Sequence, residues 1–206
     1  MSGRGAAALA AVSLLFACAL PAPAPERRAD AARLMNELMS GRHPIGGPFS
    51  LSDANGRRVA LGDFQGKLVL LYFGFASCPD VCPTDLAIIG EALRGLGHSA
   101  SQVQPLLITL DPERDSPAML REYALAFHPS FIALTGSENE IRRVATSFKV
   151  FFQKVPLRGG QTYVIDHTSY TFLLDRDGKF VMLFPPGTPP ERMIEMLREH
   201  LVPASR

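Results

Sequence analysis

Leu68-Val69-Leu70-Leu71-Tyr72-Phe73-Gly74-Phe75-Ala76-Ser77-Cys78-Pro79-Asp80-Val81-Cys82-Pro83 is the stretch that decides the fold. Its first half is short, bulky and almost free of polar side chains, the signature of a strand buried on both faces. Leu86, Ile89, Leu93 and Leu96 then recur at helical spacing. The two cysteines therefore stand where a central strand hands over to a helix, and Pro83 suits a helix start because early amides have no intrahelical partner. The positive end of a helix lowers thiol pKa and favours the thiolate, the form that attacks disulfides and binds metal. Cys78 and Cys82 are four positions apart, so their sulfurs can share one side of a helical turn. Two buried structural cysteines, or a plain structural disulfide, are the plainer alternative. Two proline-bracketed cysteines are an odd way to fill a core.

Outward from this stretch, strands and helices alternate. Phe49 to Asp53 and Arg58 to Leu61 flank Asn55-Gly56, a strong hairpin signal. Val103 to Leu110 reads as a second buried strand, and Ser116 before Pro117 as the N-cap of a helix through Phe127. Phe131 to Leu134 is strand-like, and Ser137 to Phe148 is helical with Ile141, Val144, Ala145 and Phe148 on one face. Val150 to Pro156 and Thr162 to Ile165 flank Arg158-Gly159-Gly160 as a hairpin or a loop excursion. Asp166-His167-Thr168 reads as a polar insertion before the strand Ser169 to Leu174. Asp175 to Gly178 turns that strand into Lys179 to Phe184, and a last helix turns Met193, Met196, Leu197 and Leu201 inward. The order predicts an α/β layered domain with a mixed central sheet, without repeats.

The chain has 206 residues and a formal net charge of +1, enough for one domain plus a leader. No basic aromatic patch appears, so nothing supports nucleic-acid binding. Residues 1–20 carry one early arginine and an apolar run too short to span a bilayer comfortably, as in a secretory signal. Leu15-Phe16-Ala17-Cys18 is an imperfect lipobox, in which Cys18 would be lipidated; Ala17-Cys18-Ala19 equally fits a cleavage site, and an uncleaved short anchor is a third reading. Each places the folded part outside the cytoplasm, where thiols can oxidise. Residues 21–44 are a Pro/Ala spacer and an amphipathic helix, and 45–206 the domain. Met35 and Met39, one turn apart on that helix, read as a helix face before they read as soft ligands.

Five histidines could join the cysteines. His98, His128 and His200 stand at expected helix ends, where the dipole accounts for them, and His43 sits in a Pro/Gly loop. His167 has no such account, and spacing alone does not place it beside Cys78 and Cys82.

Tyr72 to Pro83, Asp111-Pro112-Glu113-Arg114-Asp115, Phe127-His128-Pro129 with Leu134-Thr135-Gly136, and Tyr163 to Thr168 follow in that order. Together they closely resemble the Sco/SenC family of copper-binding assembly factors for cytochrome c oxidase, over roughly Ile45 to the C-terminus. The resemblance implies a thioredoxin-like fold with an N-terminal β-hairpin, and Cys78, Cys82 and His167 as copper ligands. Two thiolates and an imidazole suit Cu(I), and Cu(II) if a further ligand joins. Asp166 could support the histidine from outside the ligand set or simply form the turn. Asp111 could keep the site polar, act as an occasional ligand, or cap a turn.

The resemblance further implies an exported copper chaperone on the periplasmic side of a bacterial membrane, anchored by its leader or by Cys18. Its partners would be the copper-site region of cytochrome c oxidase subunit II, an upstream copper donor and a thiol reductant. The competing enzymatic reading is a thiol–disulfide oxidoreductase that reduces the cysteines of that copper site through the pair Cys78 and Cys82. A peroxidase of the peroxiredoxin type fits less well, because a cysteine pair occupies the loop where a single peroxidatic cysteine is expected.

Overall fold

The computed structural model describes residues 44–157 and 162–201. The expected leader, spacer and amphipathic helix, with Cys18, Met35, Met39 and His43, lie outside the described residues. Among the described residues, no helix is long and apolar enough to cross a membrane.

Among the described residues, nine strands and four α-helices follow one another. β1 (Ser50–Asp53) and β2 (Arg58–Ala60) form the N-terminal hairpin, with Leu51 opposite Val59. The Asp53 carboxylate closes its turn by accepting from the backbone N–H of Asn55 and Arg57, and Gly56 supplies the left-handed residue at φ 76°. β3 (Leu68–Gly74) leads into helix α1 (Val81–Leu96), then β4 (Val103–Thr109) and α2 (Pro117–Phe127). β5 (Ile132–Thr135) and α3 (Glu138–Ser147) follow, then the ribbon β6 (Phe152–Pro156) and β7 (Tyr163–His167). β8 (Thr171–Leu174), β9 (Phe180–Phe184) and α4 (Pro190–Leu201) close the chain.

Seven strands form one sheet in the order β2-β1-β5-β4-β3-β8-β9, parallel along β5-β4-β3 and antiparallel elsewhere. β3 and β4 are central and every residue of both is buried, which is why apolar side chains dominate both. β3-α1-β4 and β8-β9-α4 make the two halves of a thioredoxin-like layout with a mixed sheet, as expected. Alternation splits β3 between two cores. Phe73 packs with Phe148 and Phe172 at centroid separations of 5.6 and 5.9 Å. Tyr72 and Gly74 point the other way, toward the first turn of α1.

Two local expectations change. α1 begins at Val81, so Cys82 lies in its first turn while Cys78 precedes it in the loop. Pro83 is tolerated at the third helical position because that N–H has no intrahelical acceptor in any case. His167 is no loop insertion but the last residue of β7, paired with Phe152. Among the described residues, β6 and β7 pair as strands only with each other, not with the main sheet. One face of that ribbon is wet, so polar Asp166 can occupy a strand position, while His167 on the opposite face turns toward Cys82.

Candidate metal centre

Three segments meet at the carboxyl end of β3. The first is Phe75 to Asp80, folded back by the N–H of Cys78 donating to the Phe75 carbonyl at 3.2 Å. The second is the first turn of α1, and the third is the end of β7. Cys82 is buried among Tyr72, Gly74 and the start of α1, while Cys78 is half-buried, and neither is in a disulfide. His167 Nε2 lies 3.6 Å from Cys82 Sγ across 85 residues of chain. The edge of its ring meets Phe75, with centroids 5.9 Å apart.

His167 Nδ1 is 3.0 Å from the Thr168 carbonyl oxygen. A carbonyl only accepts, so Nδ1 carries a proton and Nε2 is the ring nitrogen turned toward the sulfur. The outer partner of this histidine is thus a backbone carbonyl. Asp166, which the sequence offered for that role, is exposed because β7 turns Ile165 and His167 inward and Asp166 outward.

The two thiols share their charge unequally. Cys78 is pulled well below the ordinary thiol range, first by the hydrogen bond from the Cys82 thiol; burial opposes this, and His167 and the N–H groups of Asp80 and Cys82 assist. Cys82 is pushed up, first by its bond to Cys78 and then by burial. Cys78, at the positive end of α1, is thus the sulfur that gives up its proton first, and Cys82 the one that keeps it longer.

Behind Cys82 lies a buried polar chain that sequence reading missed. The Tyr72 hydroxyl donates to Asp85 Oδ2 at 3.2 Å, and the N–H of Gly187 donates to Asp85 Oδ1 at 2.9 Å. Burial raises the Asp85 pKa against both bonds. An acid on the inward face of a helix one turn after Cys82, opposite a tyrosine in a buried strand, was the available signal. The Pro185–Pro190 segment thereby gains a role: its Gly187 amide satisfies this carboxylate.

Asp111 is fully buried at the carboxyl end of β4. Its Oδ1 accepts from the Tyr163 hydroxyl at 2.8 Å and its Oδ2 from Arg114 Nε. Its Oδ1 therefore faces the ribbon that carries His167, and its Oδ2 is held by the arginine of its own segment. Asp115, quoted in the motif but given no role, is 1% exposed; its Oδ2 accepts from the Thr109 hydroxyl at 2.6 Å and the N–H of Ala76 at 3.1 Å. Of the other described histidines, His98 and His200 are exposed, and His128 follows α2, where its Nδ1 meets the Ser130 hydroxyl.

The donor chemistry suits one soft ion. Sulfur and imidazole nitrogen held at about 2.3 and 2.0 Å around one cation, as at zinc, stand roughly 3.5–3.7 Å apart at tetrahedral to trigonal angles. The Cys82–His167 separation of 3.6 Å matches that span. Among the described residues, no three His, Cys, Asp or Glu side chains already stand ready to hold an ion.

Comparison with known proteins agrees with this frame. The family model described as SCO1/SenC matches residues 38–202. An SCO2-like protein of Rickettsia conorii is 43% identical over 155 residues, 75% of this chain and 76% of its own length. Among solved structures, Bradyrhizobium japonicum ScoI with copper bound is 44% identical with a TM-score of 0.70, covering 76% of this chain and 99% of that one. Yeast Sco1 with copper bound is 38% identical with a TM-score of 0.71, covering 78% of this chain and 92% of that one. With the family model matching about four fifths of the sequence, this chain belongs to the SCO1/SenC family.

Proposed function

We propose that this chain is an exported copper chaperone that binds copper through Cys78, Cys82 and His167 and delivers it to the binuclear copper site of cytochrome c oxidase subunit II. The observation that carries the reading is the pairing of Cys82 Sγ with Nε2 of His167 at 3.6 Å, beside the half-buried Cys78 that precedes α1. Copper is the cargo here. Two thiolates and an imidazole are a soft set that favours Cu(I), and the copper-bound relatives share this fold. Loading releases one proton, from Cys82, because ligating thiols must be deprotonated. Cys78 must turn from its thiol and backbone contacts to complete the three donors. Being the more exposed sulfur, it is also the donor an incoming client thiol reaches first, so handover proceeds by ligand exchange from the outside inward. Export and anchoring through residues 1–20 or Cys18 would place the site beside its oxidase client.

The low-pKa, half-exposed Cys78 also favours the second reading, a reductase of that copper site's cysteines. Its thiolate would attack a client disulfide, Cys82 would displace the mixed disulfide, and two electrons would pass to the client. A Cys78–Cys82 disulfide would remain for an external thiol reductant to open.

The test is Cu(I) and Cu(II) titration of the reduced protein and of Cys78→Ser, Cys82→Ser and His167→Ala. Loss of tight binding in both cysteine variants and weakened binding in His167→Ala are expected. Stoichiometric binding indifferent to His167 would sink the three-donor site. Unimpaired reduction of an oxidised subunit II fragment by His167→Ala would favour the reductase.

A further inference from the structure

We infer that Asp111 and Asp115 form a two-headed brace, in which Asp115 positions the cysteine loop and Asp111 positions the histidine ribbon. The inference rests on the metal-site reading above and assigns no ligand.

Both heads grow from the start of one short segment. β3 and β4 are parallel neighbours with Gly74 opposite Thr109, so the loops that follow them emerge side by side. The first head is Asp115, whose Oδ2 holds the N–H of Ala76 two residues before Cys78 and is itself fixed by the Thr109 hydroxyl. The second is Asp111, whose Oδ1 holds the Tyr163 hydroxyl four residues before His167. The N–H of Asp115 donates to the Asp111 carbonyl at 2.9 Å, so the two heads are joined through one turn of backbone.

The histidine ribbon needs such an anchor because no strand of the main sheet pairs with it. Tyr163 is gripped on three sides: its hydroxyl by Asp111, its carbonyl by Arg114 Nη1 at 2.9 Å, and its ring by the Arg114 guanidinium at 3.9 Å. Arg114 Nε binds Asp111 in turn, so the arginine closes the clamp from the same segment. Lys154 on β6 adds an ion pair to Glu113 at 2.7 Å. At a strand rise of about 3.3 Å per residue, the grip lies roughly 13 Å along β7 from His167. Held there and at the other end, where the His167 ring meets Phe75, the ribbon is fixed at two points. Without the grip, the distance from Nε2 to Cys82 Sγ is set at one end only.

The test uses the reduced full chain. Tyr163→Phe removes one hydroxyl and keeps the ring under Arg114. A hydrogen bond to a charged group is worth one to two orders of magnitude in an opening equilibrium, so amides of β7 should exchange about 10- to 100-fold faster in the metal-free protein. Those of β3 and α1 should be unchanged, and the His167 ring resonances should broaden. Asp115→Asn, which keeps an acceptor but loses the charge, should speed exchange at Ala76 and Cys78 without touching β7. Unchanged β7 exchange in Tyr163→Phe, or equal acceleration everywhere, would overturn the brace. In copper titrations, Tyr163→Phe should weaken binding in the wild-type background and have no effect in His167→Ala; equal weakening in both would also overturn it. A wild-type chain that binds no copper would sink the proposed function alone, since the exchange arms decide the brace without metal.

Discussion

Gly74→Ala is the substitution that most directly asks whether the packing behind Cys82 holds the site. A Cβ at position 74 would stand 2.8 Å from Tyr72 Cε1, 3.1 Å from Cys82 Sγ and 3.3 Å from Tyr72 Cδ1. Carbon atoms prefer separations of about 3.5–4.0 Å, so the ring would have to retreat by most of an ångström. It has nowhere to go: Tyr72 and Cys82 are 0% exposed, and the tyrosine hydroxyl is tied to Asp85. Gly74 is not among the left-handed glycines, so alanine meets no backbone strain there and gains about 0.4–1 kcal/mol through the unfolded chain. Overpacking costs about 1–3 kcal/mol, which leaves a net loss of about 1–2 kcal/mol. The same methyl pushes Cys82 Sγ off its line to His167, for which about a tenfold loss of Cu(I) affinity is expected, the equivalent of roughly 1.4 kcal/mol. Urea unfolding of the reduced metal-free protein reads the first number, and competition with a colorimetric Cu(I) chelator reads the second. Gly62→Ala, where nothing lies within 4 Å, is the control. A Gly74→Ala protein with the control's unfolding midpoint and wild-type copper affinity would refute the reasoning.

Gly90→Ala should cost stability but spare the site: its Cβ would meet the Phe127 carbonyl oxygen at 2.5 Å, a backbone atom that no rotamer change moves. A net loss of about 1–2 kcal/mol in urea unfolding, after about 1 kcal/mol of helix propensity is returned, should accompany unaltered copper binding. Glu140 caps α3, where the N–H and hydroxyl of Ser137 and then Arg58 hold its carboxyl down to about 2. A depressed carboxyl stabilises the fold fully above its ordinary value of about 4.3, and that contribution disappears as pH falls toward the folded value. Glu140→Gln should therefore flatten the loss of stability between about pH 4.5 and 2, and an unchanged pH profile would contradict the cap. Cys78 follows the same sign. Its iodoacetamide alkylation should hold its plateau well below the pH of about 8.5 at which free thiols titrate, and His167→Ala should move the midpoint up; an ordinary thiol profile would remove the thiolate assignment.

The parts of the fold that were legible are those whose burial is complete or whose turn chemistry is local. β3 and β4 announced themselves because neither face meets water. The first hairpin did so through Asn55-Gly56, and α2 through Ser116, whose hydroxyl does accept from the Met119 N–H. The start of α1 was placed late because Pro83 resembles a first residue, whereas the third position tolerates proline for the same reason. His167 reads as loop in the sequence because a ribbon outside the main sheet presents polar residues at strand spacing, and periodicity does not distinguish that from an insertion.

The two halves of the site differ in what fixes them. The cysteine half follows from topology. A buried parallel βαβ unit sends the loops after β3 and β4 out at the same carboxyl edge, where open α/β sheets gather their ligands. Cys78, Cys82, Asp111 and Asp115 are neighbours for that reason, and a reader of the sequence who had placed β3 and β4 had placed them too. No such rule governs β6 and β7, which pair with no other strand of the described chain. Their position is set by side chains: Tyr163 in the grip of Asp111 and Arg114, and the ring of His167 against Phe75. The third donor is therefore the adjustable one. A substitution in β3 or α1 should disturb the fold and the site together, whereas one at Tyr163 or Arg114 should move the histidine and leave the sulfurs where they are.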